Sequence, residues 1–175
     1  MDISLVVLNE REYSEFAEQQ VIELADQHVG AGEWTTEEAV GHAREELSGL
    51  LTDRLREVGH VFMKGVDPEN AQVGWVWIAP APAFLGKDQE STRWLSQITV
   101  DEAQRGRGLG RNLLEAVHDW LEAHGVEELW LRVYNWNEVA WRLYTSVGYE
   151  VVRQFSTDAH LRKRLSSLRE GSPLI

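Results

Sequence analysis

Between a β-patterned run that ends at Val100 and a helical run that begins at Leu109 stands the segment Arg105-Gly-Arg-Gly-Leu-Gly110. The first turn of a helix leaves N–H groups unpaired, and the helix dipole makes that end attractive to anions. Glycines let a phosphate approach the backbone closely. Arginines add charge on fork-shaped donors. The loop is therefore expected to hold a diphosphate. A tight turn that merely needs glycine for its φ angles would explain the glycines. It would not explain Arg105, Arg107 and Arg111 standing between Ala103 and Asn112 without an acid, in a chain whose net charge is −12. A nucleotidase P-loop is excluded because no Lys-Ser/Thr follows. A dinucleotide fingerprint needs Gly-x-Gly-x-x-Gly, and this segment is one residue short. The acid about 20 residues on, Glu127 or Glu128, opens the next strand instead of ending it.

Hydrophobic period assigns the rest of the chain. Ile3–Leu8 is β-patterned, and Glu10 to about His28 is helical, ended by Gly30 and Gly32. Thr35 or Thr36 is an N-cap candidate with Glu38 at the capping-box position, opening a helix that runs to about Leu55. His60–Val66 and Val73–Ile78 read as strands joined by Asp67-Pro-Glu-Asn70, a turn. Val73–Ile78 is apolar at nearly every position, which predicts a strand covered on both faces. Ala79 to Glu90 is expected to be loop, followed by a strand over Thr92–Val100. A helix spans Leu109–His124, with Gly125 as its stop. The remaining expectations are a strand at Glu128–Val133, a helix at Asn137–Val147, strands at Tyr149–Gln154 and Ala159–Leu165, and a tail over residues 166–175. The order β-α-α-β-β-β-α-β-α-β-β implies a mixed sheet with helices on both faces, not a series of βαβ units.

Composition limits the function classes. The chain has 175 residues, a length suited to one domain with its own core. It has no Cys, which removes thiolate nucleophiles, thiolate zinc sites and disulfides. No apolar run reaches membrane-span length, and the first ten residues are not those of a signal peptide, so an intracellular, cytoplasmic protein is expected. Residues 1–60 carry four basic and fourteen acidic side chains. Such acidity disfavours nucleic acid as a partner.

Two motifs carry a resemblance. Arg105-Gly-Arg-Gly108-Leu-Gly110 fits the Arg/Gln-x-x-Gly-x-Gly/Ala signature of the GCN5-related N-acetyltransferase (GNAT) superfamily. Asn137-Glu-Val-Ala140-Trp-Arg-Leu143-Tyr144-Thr-Ser-Val-Gly148-Tyr149 fits that superfamily's second signature at every fixed position. The chain resembles bacterial members with a Gly-Trp-x-Trp third strand, here Gly74-Trp-Val-Trp77. The resemblance covers about Ile3 to Leu165. It implies a single α/β (α+β) domain over residues 1–165, with a mostly antiparallel central sheet of about seven strands.

The resemblance also implies roles. Acetyl-CoA is the cosubstrate, and a primary amine attacks it directly in a ternary complex. Backbone amides of Arg105, Gly106, Arg107, Gly108, Leu109 and Gly110, with Arg111 beside them, would cradle the pyrophosphate. Ile98, Thr99 and Val100 would pair with the pantetheine amides, and Asn137 would bind the same arm. Tyr144 would protonate the departing thiolate, as a phenol with pKa near 10 can. Members often place a Glu on the fourth strand as base. Here Trp94-Leu-Ser-Gln97 occupies that stretch, leaving Glu33, Glu90 or a water on backbone carbonyls. The acidic first third, which walls the acceptor side in this family, suits a cationic acceptor. A homodimer through the last strands is also implied. A non-catalytic acyl-CoA-binding module and a nicotinamide-dinucleotide binder are the rival readings. Histidine and carboxylate spacing gives no metal site. His118 and His124 read as peripheral, and the eight Trp as mostly core, with Trp34 the one placed to touch substrate.

Overall fold

The computed structural model describes residues 2–30, 32–51 and 57–165. The end of the second helix toward Leu55 and the tail over 166–175 lie outside the described residues. Strand β1 is Ser4–Val7, helix α1 is Glu10–Gly30 and helix α2 is Ala39–Leu51. Strands β2 (Val61–Val66), β3 (Gln72–Pro80) and β4 (Thr92–Val100) follow. Then come α3 (Leu109–Ala123), β5 (Glu128–Tyr134), α4 (Glu138–Ser146), β6 (Glu150–Gln154) and β7 (Asp158–Arg164). The seven strands form one sheet in the order β1-β2-β3-β4-β5-β7-β6. β4 and β5 are parallel, whereas β3/β4, β5/β7 and β6/β7 are antiparallel.

Contacts divide the chain into two compact units. In residues 7–62, Val21 and Ala25 of α1 meet Ala39 and Ala43 at the start of α2, with Leu24, Trp34 and Leu47 around them. These small residues allow the two helices to approach closely. Arg44 grips Glu18 with both terminal guanidinium nitrogens, at 2.8 and 2.7 Å. At the entry to α2 the Thr35 hydroxyl donates to the Glu38 carboxylate at 2.7 Å, so this pair bonds side chain to side chain instead of closing a capping box.

The larger unit, residues 63–175 with the first six, holds the core of the sheet. Leu113, Leu114, Val117 and Leu121 give α3 one fully buried stripe, and Leu129, Leu131, Val133, Ala159 and Leu161 bury the neighbouring strands. β3 is buried along most of its length, as its unbroken apolar pattern requires. Three expectations are corrected. β3 continues through Ala79 to Pro80, paired with Trp94 and Arg93, because proline is tolerated at a strand's end where no further ladder bond is needed. Only Trp75 and Trp130 of the eight Trp are buried, and Trp136 is largely exposed, since Trp34 and Trp136 stand in connections and Trp120 and Trp141 on helices, where a large ring is covered on one side only. His118 is buried, because it lies on the core side of α3 next to Val117 and Leu121.

Two irregularities open the sheet. β4 pairs with β5 only from Thr92↔Glu128 to Leu95↔Leu131. On its other side the register with β3 shifts: Ile78 opposes Leu95 and Trp77 opposes Gln97, so Ser96 is the extra residue of a bulge. A bulge bends its strand and increases local twist. β4 therefore leaves β5 immediately after Leu95, and Gln97–Val100 keeps pairing only with β3. Gly74 holds that remaining pair together: a Cβ there would meet the Thr99 carbonyl oxygen at 2.0 Å.

Candidate active site

Beside the stretch of β4 that has left β5 lies a cleft of about 870 Å³. Ile98, Thr99 and Val100 of β4 form one wall, the glycine loop and Arg111 the end, and Asn137, Ala140, Leu143 and Tyr144 the other wall. Sequence motifs 30 residues apart thus meet because α3 and α4 follow the two strands that separate.

The loop is built for an anion. Gly106 and Gly108 both have φ near +76°, a region closed to most side chains, and a Cβ on either would project into open space. Arg105 N–H bonds to Glu102 and Arg111 N–H to Gly108, but among the described residues no carbonyl takes the N–H groups of residues 106–110. Alternating backbone of this kind turns successive N–H groups into one concavity. Gly108 is the N-cap of α3 and offers no side-chain acceptor. Gly110 lies where a Cβ would just touch Leu143 and Val100, so α3 sits close to both walls.

The arginines divide the work. Arg105 Nε donates to the Val100 carbonyl at 3.0 Å and fixes the loop to the end of β4. Arg111 Nη2 donates to Ser146 Oγ at 2.7 Å, linking α3 to α4 across the cleft. Arg107 does not line the cleft; its guanidinium bonds to Gln104 Oε1 at 2.5 Å. Arg142 does line it, paired with Glu138 at 3.0 Å. Sequence reading missed Arg142, Ser146, Val139 and Gln104. The (i, i+4) spacing of Glu138, Arg142 and Ser146 along α4 was the available signal.

Asn137 is the N-cap of α4, its Oδ1 accepting from Ala140 N–H at 3.1 Å. Its Nδ2 has no hydrogen-bond partner among the described residues and is left to donate into the cleft. Tyr144 is 9% exposed, and burial pushes its phenol up to about 12. Its hydroxyl likewise has no hydrogen-bond partner among the described residues, and its ring lines the cleft.

Glu90 lies in the turn before β4 and is not a lining residue. Glu33 belongs to the other compact unit, where its carboxylate lies 2.5 Å from His28 Nδ1, while Trp34 stacks on His28 and tilts against His42. Among the described residues no group of three His, Asp or Glu side chains could hold a metal, and no helix is long and apolar enough to cross a membrane.

Residues 32–149 match the family model of the acetyltransferase (GNAT) family. The chain is 26% identical over 165 residues to the N-acetyltransferase YdgE of Bacillus subtilis, covering 94% of this chain and 99% of that one. Its fold is similar to the crystal structure of the acetyltransferase YycN from Bacillus subtilis, with a TM-score of 0.73, 24% identity, and coverage of 87% and 95% of the two chains. It is similar in fold also to the spermidine N-acetyltransferase of Vibrio cholerae solved with CoA and spermine, with a TM-score of 0.65, 14% identity, and coverage of 95% and 97%. With the family's two motifs meeting at one cleft, the chain belongs to the GNAT family of N-acetyltransferases.

Proposed function

We propose that this chain transfers the acetyl group of acetyl-CoA to a cationic primary amine. The observation that carries the reading is the row of unclaimed N–H groups over residues 106–110, at the end of a cleft whose far wall holds a buried phenol. The amides and the N-terminus of α3 bind the diphosphate. The open edge of β4 from Ile98 to Val100 lies beside the pantetheine arm and pairs with its amides as an added strand would. Asn137 Nδ2 donates to the same arm.

The amine, freed of its extra proton by Glu33, Glu90 or a water, attacks the thioester carbonyl carbon. The C–S bond breaks, Tyr144 gives its proton to the sulfur, and the proton that the nitrogen sheds on becoming an amide restores the phenol. A phenol held near 12 is fully protonated at neutral pH, so the acid is always loaded. The ternary mechanism is consistent with a chain that has no Cys to carry the acetyl group. The spermidine enzyme of similar fold acts on a polycation, and fourteen acids in residues 1–60 suit an acceptor of the same sign.

Calorimetry tests the cofactor half, with NADP and ATP as controls. Acetyl-CoA should bind and the controls should not. Gly108→Asp should abolish binding, because it puts a carboxylate where the diphosphate sits. Binding of NADP in preference to acetyl-CoA would overturn the reading. A panel of amines then tests the acceptor half. Because the protein has no thiol, a thiol-reactive dye reports released CoA alone. A polyamine or peptide amine turned over faster than neutral amines is the expected outcome.

A further inference from the structure

His118 is a buried imidazole that none of the chemistry above uses. Its Nε2 lies 3.0 Å from the Tyr149 hydroxyl, and the two rings are 5.7 Å apart. Tyr149 is bonded in turn to Tyr144. Its N–H donates to the Tyr144 carbonyl at 3.0 Å, and its ring tilts against the Tyr144 ring with centroids 5.5 Å apart. All three side chains are at least nine-tenths buried. Burial, with Lys163 nearby, holds His118 down at about 4, and burial pushes the Tyr149 phenol well up. Near neutral pH the bond thus joins a neutral imidazole to a neutral phenol.

The path runs from α3, whose first turn closes one end of the cleft, to α4, which forms one wall. α3 begins at Leu109, after its N-cap Gly108, and carries His118 further along the same helix. α4 carries Tyr144 in its last turn, and Tyr149 follows directly after that helix ends. Without a hydrogen-bond partner among the described residues, the Tyr144 hydroxyl is aimed by the packing of its ring. Tyr149 packs against that ring, and its hydroxyl meets His118 on α3. The hydroxyl and the imidazole form a buried polar pair.

We propose that the His118–Tyr149 bond is a strut that sets the angle of the Tyr144 phenol in the cleft, making His118 and Tyr149 positioning residues for proton transfer to sulfur. The inference rests on the role proposed above for Tyr144. Swinging a phenol by about 10° displaces its hydroxyl by about 1 Å, and a misplacement of about 1 Å can cost of the order of 100-fold in rate.

The test uses the full chain labelled with ring-¹³C tyrosine. Its four Tyr give separate signals that single Tyr→Phe variants assign. Tyr149→Phe removes the bond and keeps the ring. His118→Leu removes it from the other side, and His118→Gln restores an amide near the Nε2 position. In Tyr149→Phe and His118→Leu the Tyr144 signal should shift and broaden. With the fastest amine of the panel, kcat should fall at least about tenfold while acetyl-CoA Kd stays within twofold. His118→Gln should recover most of both. An unchanged Tyr144 signal and kcat in Tyr149→Phe would overturn the strut. So would a loss of acetyl-CoA affinity that matches the loss of kcat, because the bond would then only hold the cleft together. If His118→Leu does not fold, Tyr149→Phe alone decides. Should the wild-type protein bind no acetyl-CoA, the cofactor reading fails, yet the Tyr144 signal still reports whether the strut orients the ring.

Discussion

At the scale of single residues, environment separates side chains that look alike in sequence. Tyr134 is half exposed at the end of β5 with Arg132 over its ring, whereas Tyr144 and Tyr149 are buried. Tyr144→Phe should lower kcat about 100-fold near neutral pH, the usual range for losing a positioned general acid. Acetyl-CoA Kd, measured by calorimetry, should change less than twofold, and an unaltered kcat would remove Tyr144 from the chemistry. The base is found by the same kind of comparison. Glu33→Gln and Glu90→Gln are measured from pH 7 to 10, and the variant that lost the base should regain its rate at high pH, where the amine is already free. Parallel profiles for both variants and wild type leave water as the base. His118 gives a pH signature in stability. Unfolded, its imidazole titrates at 6.5; folded, at about 4, so the unfolded chain binds more protons between those values. Its stabilising contribution, of the order of 3 kcal/mol, is fully present above pH 6.5 and lost as pH falls through 4. The gap in thermal midpoint between wild type and His118→Gln should close over that window. A constant gap would contradict it.

At the scale of elements, α4 shows how one residue serves both a helix and a site. Asn137 caps the helix with Oδ1 and keeps Nδ2 for the cleft. Asn137→Asp retains the acceptor and removes the donor; Asn137→Ala removes both. Asp should therefore preserve the thermal midpoint while weakening acetyl-CoA binding several-fold. Ala should weaken binding and also cost about 1 kcal/mol of stability. Equal binding by the Asp variant and wild type would assign Asn137 to capping alone. The splay between β4 and β5 has a comparable division of labour. The bulge at Ser96 turns β4 away, and Gly74 lets β3 follow it closely enough to keep the pair intact.

At the scale of the whole molecule, charge is distributed unevenly: a strongly acidic first third precedes a nearly neutral remainder that holds the arginines of the cleft. Steering of a cationic acceptor by such a field weakens as salt shortens the Debye length from about 30 Å at 0.01 M to about 8 Å at 0.15 M. The acceptor KM should rise several-fold over that range, measured at saturating acetyl-CoA. A flat response would leave the acidity to solubility. By itself the sequence determined the element order, the glycine loop and both motifs, because hydrophobic period and turn chemistry are local and act through neighbouring residues. The end of β3 escaped that reading because Ala79-Pro80 has loop composition, and only pairing with Arg93 and Trp94 makes it strand. The meeting of the two motifs in one cleft, the departure of β4 from β5 after Leu95, and the entry of Arg142 were decided by tertiary structure. So was the burial of His118 against Tyr149, 31 positions along the chain. A polar residue at helical spacing has no local sign of whether a distant hydroxyl will meet it. That meeting depends on how α3 and the chain after α4 are packed, and packing is a property of the whole fold.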